Sequence, residues 1–164
     1  MSAKKCVFAG VFDPPTVGHE NVIKNCLKIF DEVVVAVMVN TDKTPRISEA
    51  DRKNLLQKLF EDEKRVKVIT FEGAAVDLLE KENTPFYVRG IRNTVDFEYE
   101  NQNFFANKKL KDDIVTVYLP AEQESLQISS TLVKNSVKFK KNYDSYVPAK
   151  ILTEVKRLLE KNDV

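Results

Sequence analysis

Residues 6–19 read CVFAGVFDPPTVGH, a short apolar run (6–9) that breaks at Gly10 into a turn carrying Pro14, Pro15 and Gly18. The turn empties into a stretch whose apolar positions are Val22, Ile23, Cys26, Leu27 and Phe30. Apolar residues at that spacing form one face of a helix. Strand, tight turn and helix in direct succession make the opening unit of an α/β fold, and the loop between them is where such folds hold anions.

The same grammar continues outward. Apolar runs at 33–39, 66–70, 86–89 and 114–119 are mostly rich in β-branched residues, as buried parallel strands are. Leu55, Leu56, Leu59 and Phe60 form a second helical stripe, and Ser48 stands three residues before Asp51, the spacing of a capping box. Pro148 marks the start of a last helix carrying Ile151, Leu152, Val155, Leu158 and Leu159. The expected fold is α/β: a Rossmann-like, doubly wound five-stranded parallel sheet with helices on both faces, in one domain spanning 1–164. Functional residues are expected just after strands.

Composition narrows the function. The 164 residues carry 26 Lys and Arg against 25 Asp and Glu, a net charge of +1, so no broad field attracts nucleic acid or an anionic membrane. Any anion site is therefore built locally. The N-terminal MSAKKCVFAG has no long apolar run before a cleavage site, and no stretch approaches the roughly 20 apolar residues that cross a bilayer. A cytoplasmic protein is expected, with Cys6 and Cys26 reduced and buried. One histidine and two scattered cysteines make a protein-bound transition metal an unexpected feature.

The first loop lacks both GxGxxG and the Walker GxxxxGK[ST], so the two commonest nucleotide loops are excluded. It offers Gly10 and Gly18, which carry no Cβ to hold a ligand off the backbone, and a helix start near His19 with unpaired N–H groups. A lone histidine at a helix start ordinarily caps or packs; the surrounding GxFDPxTxGH pattern resembles that of the nucleotidyltransferase superfamily, and the resemblance implies a ligand contact instead. Lys43 follows the second strand and by itself reads as a solvated lysine. Arg89-Gly90-Ile91-Arg92 follows the fourth and sets two guanidinium forks that match phosphate oxygens. Asp96-Phe97-Glu98-Tyr99-Glu100 opens a long helix, its carboxylates being either dipole partners, which composition favours, or ribose or purine contacts. After the fifth strand, residues 128–132 start a helix whose serines are either an ordinary N-cap or a phosphate cradle. Each signal is weak alone; together they fall on one edge of the sheet.

The Thr16-x-Gly18-His19 stretch resembles the (T/H)xGH signature of the nucleotidyltransferase superfamily, shared by cytidylyltransferases and nicotinamide-mononucleotide adenylyltransferases. With Lys43-Thr44-Pro45, Arg89-Gly90-Ile91-Arg92 closely followed by Asp96-Phe97-Glu98-Tyr99-Glu100, and Ile128-Ser129-Ser130-Thr131-Leu132-Val133-Lys134, the chain resembles the bacterial phosphopantetheine adenylyltransferases from Lys5 to its last helix. The resemblance implies AMP transfer from ATP to 4′-phosphopantetheine, giving dephospho-coenzyme A and pyrophosphate. It also implies Mg²⁺ held through the ATP phosphates, dephospho-coenzyme A and coenzyme A as product-like ligands, and a homohexamer with no nucleic-acid or membrane partner. Catalysis would fall to His19, Lys43 and Arg92. Val11, Lys43, Ala75 and Arg89 would hold phosphopantetheine. Val11, Phe12, His19, Gly90, Ile91, Arg92 and Glu100 would line the ATP site, and Ser125, Leu126, Gln127, Ile128, Ser129, Ser130 and Thr131 would cover the triphosphate and adenine.

Two departures stand out. The family usually has Thr or Ser where Val11 stands, and residues 122–127 lack an aromatic often found there. The lost hydroxyl predicts weakened activity, or a compensating contact from Thr16 or water. Two other readings stay open at this level: a nucleotidylyltransferase for another phosphate acceptor, such as nicotinamide mononucleotide or a polyol phosphate, and a noncatalytic ATP-binding module.

Overall fold

The computed structural model describes residues 3–39 and 44–161. Strands β1 (Lys5–Gly10), β2 (Glu32–Met38), β3 (Val66–Phe71), β4 (Phe86–Ile91) and β5 (Val115–Pro120) form one sheet in the order β3-β2-β1-β4-β5. Every neighbouring pair is parallel. All five lie where the apolar runs predict them, with ends displaced by a residue or two. Around them lie α1 (Val17–Cys26), α2 (Glu49–Leu59), α3 (Ala75–Lys81), α4 (Thr94–Leu110), α5 (Ser130–Lys138) and α6 (Leu152–Lys161).

Side chains alternate across a strand, and the two faces of the sheet bury different cores. Cys6, Phe8, Val33, Val35, Val37 and Val88 face a large cluster that includes Val22 and Ile23 of α1, Leu55 and Leu56 of α2, Val133 of α5 and Val155 and Leu159 of α6. Val7, Ala9, Val34 and Ala36 face a smaller one closed by Val76, Leu78 and Leu79 of α3. Cys6 and Cys26 are free and fully buried, as expected. Their mutual hydrogen bond, followed by burial, raises the Cys6 thiol well above its ordinary value.

The helical stripes run past the helices. α1 ends at Cys26, and Phe30 reaches the core from the following turn, its ring 5.5 Å from that of Phe86. Phe60 is likewise the C-cap of α2 rather than part of it, yet buried. Ser48 caps α2 as predicted, accepting from the Asp51 N–H. Pro148 opens a short 3-10 turn, Ala149–Ile151, before α6 proper. α3, seven residues long, has too few turns to show a stripe in the sequence. Among the described residues no helix is long and apolar enough to cross a membrane.

From β1 the chain winds outward through β2 to β3, then returns to the other side of β1 for β4 and β5. The carboxyl ends of β1 and β4 therefore flank the point where the winding reverses, the place where open α/β sheets leave a crevice. A Cβ on Gly90 would come within 3.0 Å of Val22 Cγ2, so this glycine lets β4 pack against α1 beneath that crevice.

Candidate active site

A cavity of about 280 Å³ opens at that crevice. Its floor is the end of β1 and the turn into α1, including Ala9, Val11, Thr16 and His19; its rim holds Arg92 and Asp96 at the β4–α4 junction and Ser129 and Ser130 at the head of α5.

The floor is held by buried bonds. Phe12 has φ of +53°, a left-handed conformation that costs a non-glycine residue roughly 1–2 kcal/mol. What offsets it is the ring, 2% exposed, edge-on to Phe8 at 5.6 Å and to His19 at 4.8 Å. A Cβ on Gly10 would lie 3.1 Å from that ring, so this glycine accommodates Phe12 as much as a ligand. Next along the turn, buried Asp13 accepts the backbone N–H groups of Ile47 and Arg46, each at 3.0 Å, and pairs with Lys134 Nζ at 3.4 Å. Buried Arg52 of α2 donates from Nη1 to the Val11 carbonyl at 2.6 Å and from Nε to that of Ile47 at 3.0 Å.

Thr16 and His19 form a reciprocal cap. The Thr16 hydroxyl accepts from the His19 N–H, and the Thr16 N–H donates to His19 Nδ1 at 3.0 Å. Nδ1 is thus an acceptor, and the proton of the neutral imidazole sits on Nε2. Burial first, then the charges of Arg92 and Arg89, push His19 down from 6.5 to about 4. At neutral pH it is an uncharged Nε2–H donor. Capping and ligand contact, opposed in the sequence, are compatible because each uses a different nitrogen.

The β4 side is built from arginine–carboxylate forks. Arg89 donates to both Glu100 oxygens, at 2.9 and 2.7 Å, and through Nη1 to the Ala9 carbonyl at 2.7 Å and Tyr87 Oη at 3.3 Å. Arg92 donates from Nε to Asp96 at 2.9 Å and from its backbone N–H to the same oxygen at 3.0 Å. Glu100 and Asp96 of α4 therefore pair with the two arginines, and Asp96 also stands in the helix's first turn, where sequence favoured a dipole partner. At the head of α5, Ser129 caps the helix by accepting from the Leu132 N–H, and Ser130 Oγ donates to the Pro14 carbonyl at 2.8 Å. Asn21 of α1 reaches Ser125 Oγ at 3.1 Å, tying the 3-10 turn after β5 to the wall.

Of the residues singled out from sequence, Val11, His19, Arg89, Gly90, Arg92, Glu100, Ser125, Ile128, Ser129 and Ser130 border this cavity. Phe12 lies beneath its floor, while Ile91, Leu126, Gln127 and Thr131 adjoin lining residues without lining it themselves. Ala75 begins α3, after β3 on the same edge of the sheet. Lys43 lies outside the described residues. Phe8, Ala9, Val22 and Ala121 also line the cavity and were not read from sequence; the first three carried only a core signal as apolar positions of β1 and α1, and Ala121 follows β5 with no signal of its own. One expectation is corrected. Thr16 is 1% exposed and its hydroxyl is engaged by His19, so it cannot replace the hydroxyl missing at Val11.

The cytidylyltransferase-like family model matches residues 7–136. The phosphopantetheine adenylyltransferase of Flavobacterium johnsoniae is 40% identical over 145 residues, 88% of this chain and 95% of the relative. That of Campylobacter fetus is 39% identical over 153 residues, 93% and 96% of the two chains. A Vibrio parahaemolyticus structure described as a nicotinate-nucleotide adenylyltransferase shares the fold, with a TM-score of 0.68 at 23% identity over 96% of this chain and 99% of that one.

Proposed function

The chain belongs to the phosphopantetheine adenylyltransferase family, and we propose that it transfers AMP from ATP to 4′-phosphopantetheine, releasing pyrophosphate and forming dephospho-coenzyme A. The observation that carries the reading is the cavity at the sheet's switch point. There a neutral, tautomer-fixed His19 and the Arg92 fork converge with the first turn of α5.

The nucleophile is a phosphate monoester, largely dianionic at neutral pH, so no side chain has to remove a proton. Its oxygen bonds to the α-phosphorus, and the bond to the bridging oxygen breaks as pyrophosphate leaves with the electron pair. The protein aligns the reactants and stabilises charge that grows on the α-phosphate and the leaving group. His19 Nε2–H donates to an α-phosphate oxygen. Arg92 and the N–H groups of α5's first turn hold pyrophosphate, while Arg89 and Lys43 hold the acceptor phosphate. Arg92 shares Asp96 with solvent and can exchange it for a phosphate; Arg89 has most of its donors committed to Glu100, Ala9 and Tyr87 and acts mainly by charge.

The two carboxylates on the cavity wall are tied to arginines, which fits a divalent ion that rides on the triphosphate rather than on the protein. Mg²⁺ bound with the triphosphate would neutralise phosphate charge. Coenzyme A and dephospho-coenzyme A would occupy the same cavity as product-like ligands, in a single cytoplasmic domain. We also propose a homohexamer, the assembly that the family resemblance implies; the exposed Val95, Phe97, Tyr99, Phe105 and Leu110 of α4 are apolar surface that association of some order would cover. Light scattering at the mass of six chains tests that.

The test of function is pyrophosphate release from ATP and Mg²⁺ with 4′-phosphopantetheine, nicotinamide mononucleotide or glycerol 3-phosphate as acceptor. Release with 4′-phosphopantetheine alone is expected. Release with another acceptor moves the chain to a cousin reaction, and ATP binding without release makes it a noncatalytic module.

A further inference from the structure

Arg52 is the one arginine among the described residues that is almost wholly buried, at 2% exposure, on α2 one turn before the core residues Leu55 and Leu56. Burial alone pulls its guanidinium below the ordinary value, while Asp13 and Glu49 act in the opposite sense. A charge in such a place survives only where its hydrogen bonds are made. The two bonds given above end on backbone carbonyls of two different segments, Val11 in the cavity floor and Ile47 before α2.

These bonds answer those of Asp13. The Asp13 carboxylate takes N–H groups from the segment before α2; Arg52 takes a carbonyl from that segment and another from the floor. The two segments are thereby clasped in both hydrogen-bonding senses. The Val11–Phe12 peptide is trans, so its carbonyl and the Phe12 N–H point opposite ways. With the carbonyl drawn onto Arg52, the N–H is turned away from the core. Val11 has no side-chain donor, so the peptide is the polar group this position can offer a phosphate.

We propose that Arg52 is a positioning residue of the phosphate-binding floor, fixing the Val11–Phe12 peptide so that its N–H meets a phosphate oxygen of the bound nucleotide. The proposal rests on the reading of the cavity as an ATP site and adds to it a residue that touches no substrate. A 1 Å misplacement in such a floor costs about 10²-fold in rate.

The test compares Arg52→Met, Arg52→Lys and, as a control on the same helix, Leu59→Ala. Arg52→Met keeps the side chain's reach but leaves the Val11 and Ile47 carbonyls without their donor, so it is expected to melt earlier, and Leu59→Ala, destabilised by loss of core packing alone, separates fold from function. Each variant is assayed below its melting onset for kcat with ATP and 4′-phosphopantetheine and for ATP affinity by calorimetry. Arg52→Met is expected to lose about 10²-fold in kcat and about tenfold in ATP affinity, losses that Leu59→Ala does not show although it too melts earlier. Arg52→Lys should recover part of both, and Leu59→Ala should melt earlier with kcat unchanged. A folded Arg52→Met with wild-type kcat and ATP affinity overturns the proposal, as does a loss of kcat that follows melting point equally in all three. If wild type binds ATP but does not turn over 4′-phosphopantetheine, the acceptor reading fails, and ATP affinity in Arg52→Met alone decides the role of Arg52.

Discussion

The floor and the rim of the cavity use the same kinds of group under different constraint. On the floor, Asp13, Thr16 and Arg52 are each 3% exposed or less and each is bonded to backbone. On the rim, the Arg92 and Asp96 side chains are 37% and 23% exposed and paired mainly with each other. Arg89 and Glu100 fall between, at 24% and 10%. The floor can hold a donor in one geometry before substrate arrives, which is the condition for stabilising a transition state without reorganisation. The rim can trade one anion for another, which suits capture and release.

The largest expected effect breaks the floor. His19→Ala should lower kcat by about 10²–10³-fold with much less change in KM for ATP, because its contact strengthens as the α-phosphate gains charge. Steady-state pyrophosphate release measures it, and a kcat equal to wild type removes His19 from the mechanism. Since the wild-type ring is neutral above about pH 4, the kcat profile should show no histidine limb between pH 6.5 and 8.

The two arginines sharpen the contrast at the next level. Arg89→Ala strands the buried Glu100 carboxylate and should cost about 2 kcal/mol by urea denaturation, below the ~3–5 kcal/mol of a fully enclosed pair. Arg92→Ala breaks an exposed pair and should cost less than about 1 kcal/mol, while raising KM for ATP about tenfold through a lost charged hydrogen bond. Equal stability losses in the two variants would erase the distinction between frame and rim.

Much of the fold was legible because it follows from periodicity. Buried parallel strands read as apolar runs and α1, α2 and α6 as stripes, so these elements stand near their expected places, while α4 and α5 showed only as polar motifs after strands. α3 was not legible, being too short for a stripe, and Phe30 and Phe60 show that a stripe marks a core face without marking a helix end. In the site, the polar residues that follow strands were legible one by one. Their pairings were not: that Glu100 holds Arg89, or that Arg52 grips a carbonyl 41 positions away, depends on which loops the sheet order brings together. The tautomer of His19 needs the position of a backbone N–H, which no sequence pattern encodes.

A smaller effect restores a group to the floor. Val11 is 47% exposed at the cavity and its carbonyl is already engaged, so Val11→Thr adds a hydroxyl without disturbing the clasp. One further hydrogen bond to a phosphate is expected to raise kcat/KM several-fold, as roughly 1 kcal/mol does. An unchanged or lower value would mean that the floor has adapted to valine.

The smallest effect concerns stability in acid. His19 sits at about 4 in the folded protein against 6.5 for the ordinary side chain, so as pH falls the unfolded chain takes up this proton first. The neutral ring therefore contributes its full stability above pH 6.5, and that contribution drains away between 6.5 and 4. Because the ring is only half-buried, the change in melting point is expected to be on the order of a few degrees. It is read as a difference: His19→Gln keeps a polar side chain that does not titrate, so its melting point should fall less than that of wild type between pH 7 and pH 4.5. The carboxylates titrate in both proteins and cancel. Parallel melting curves across that range would show that the floor tolerates a charged imidazole, and the rigidity that sets it apart from the rim would not extend to His19.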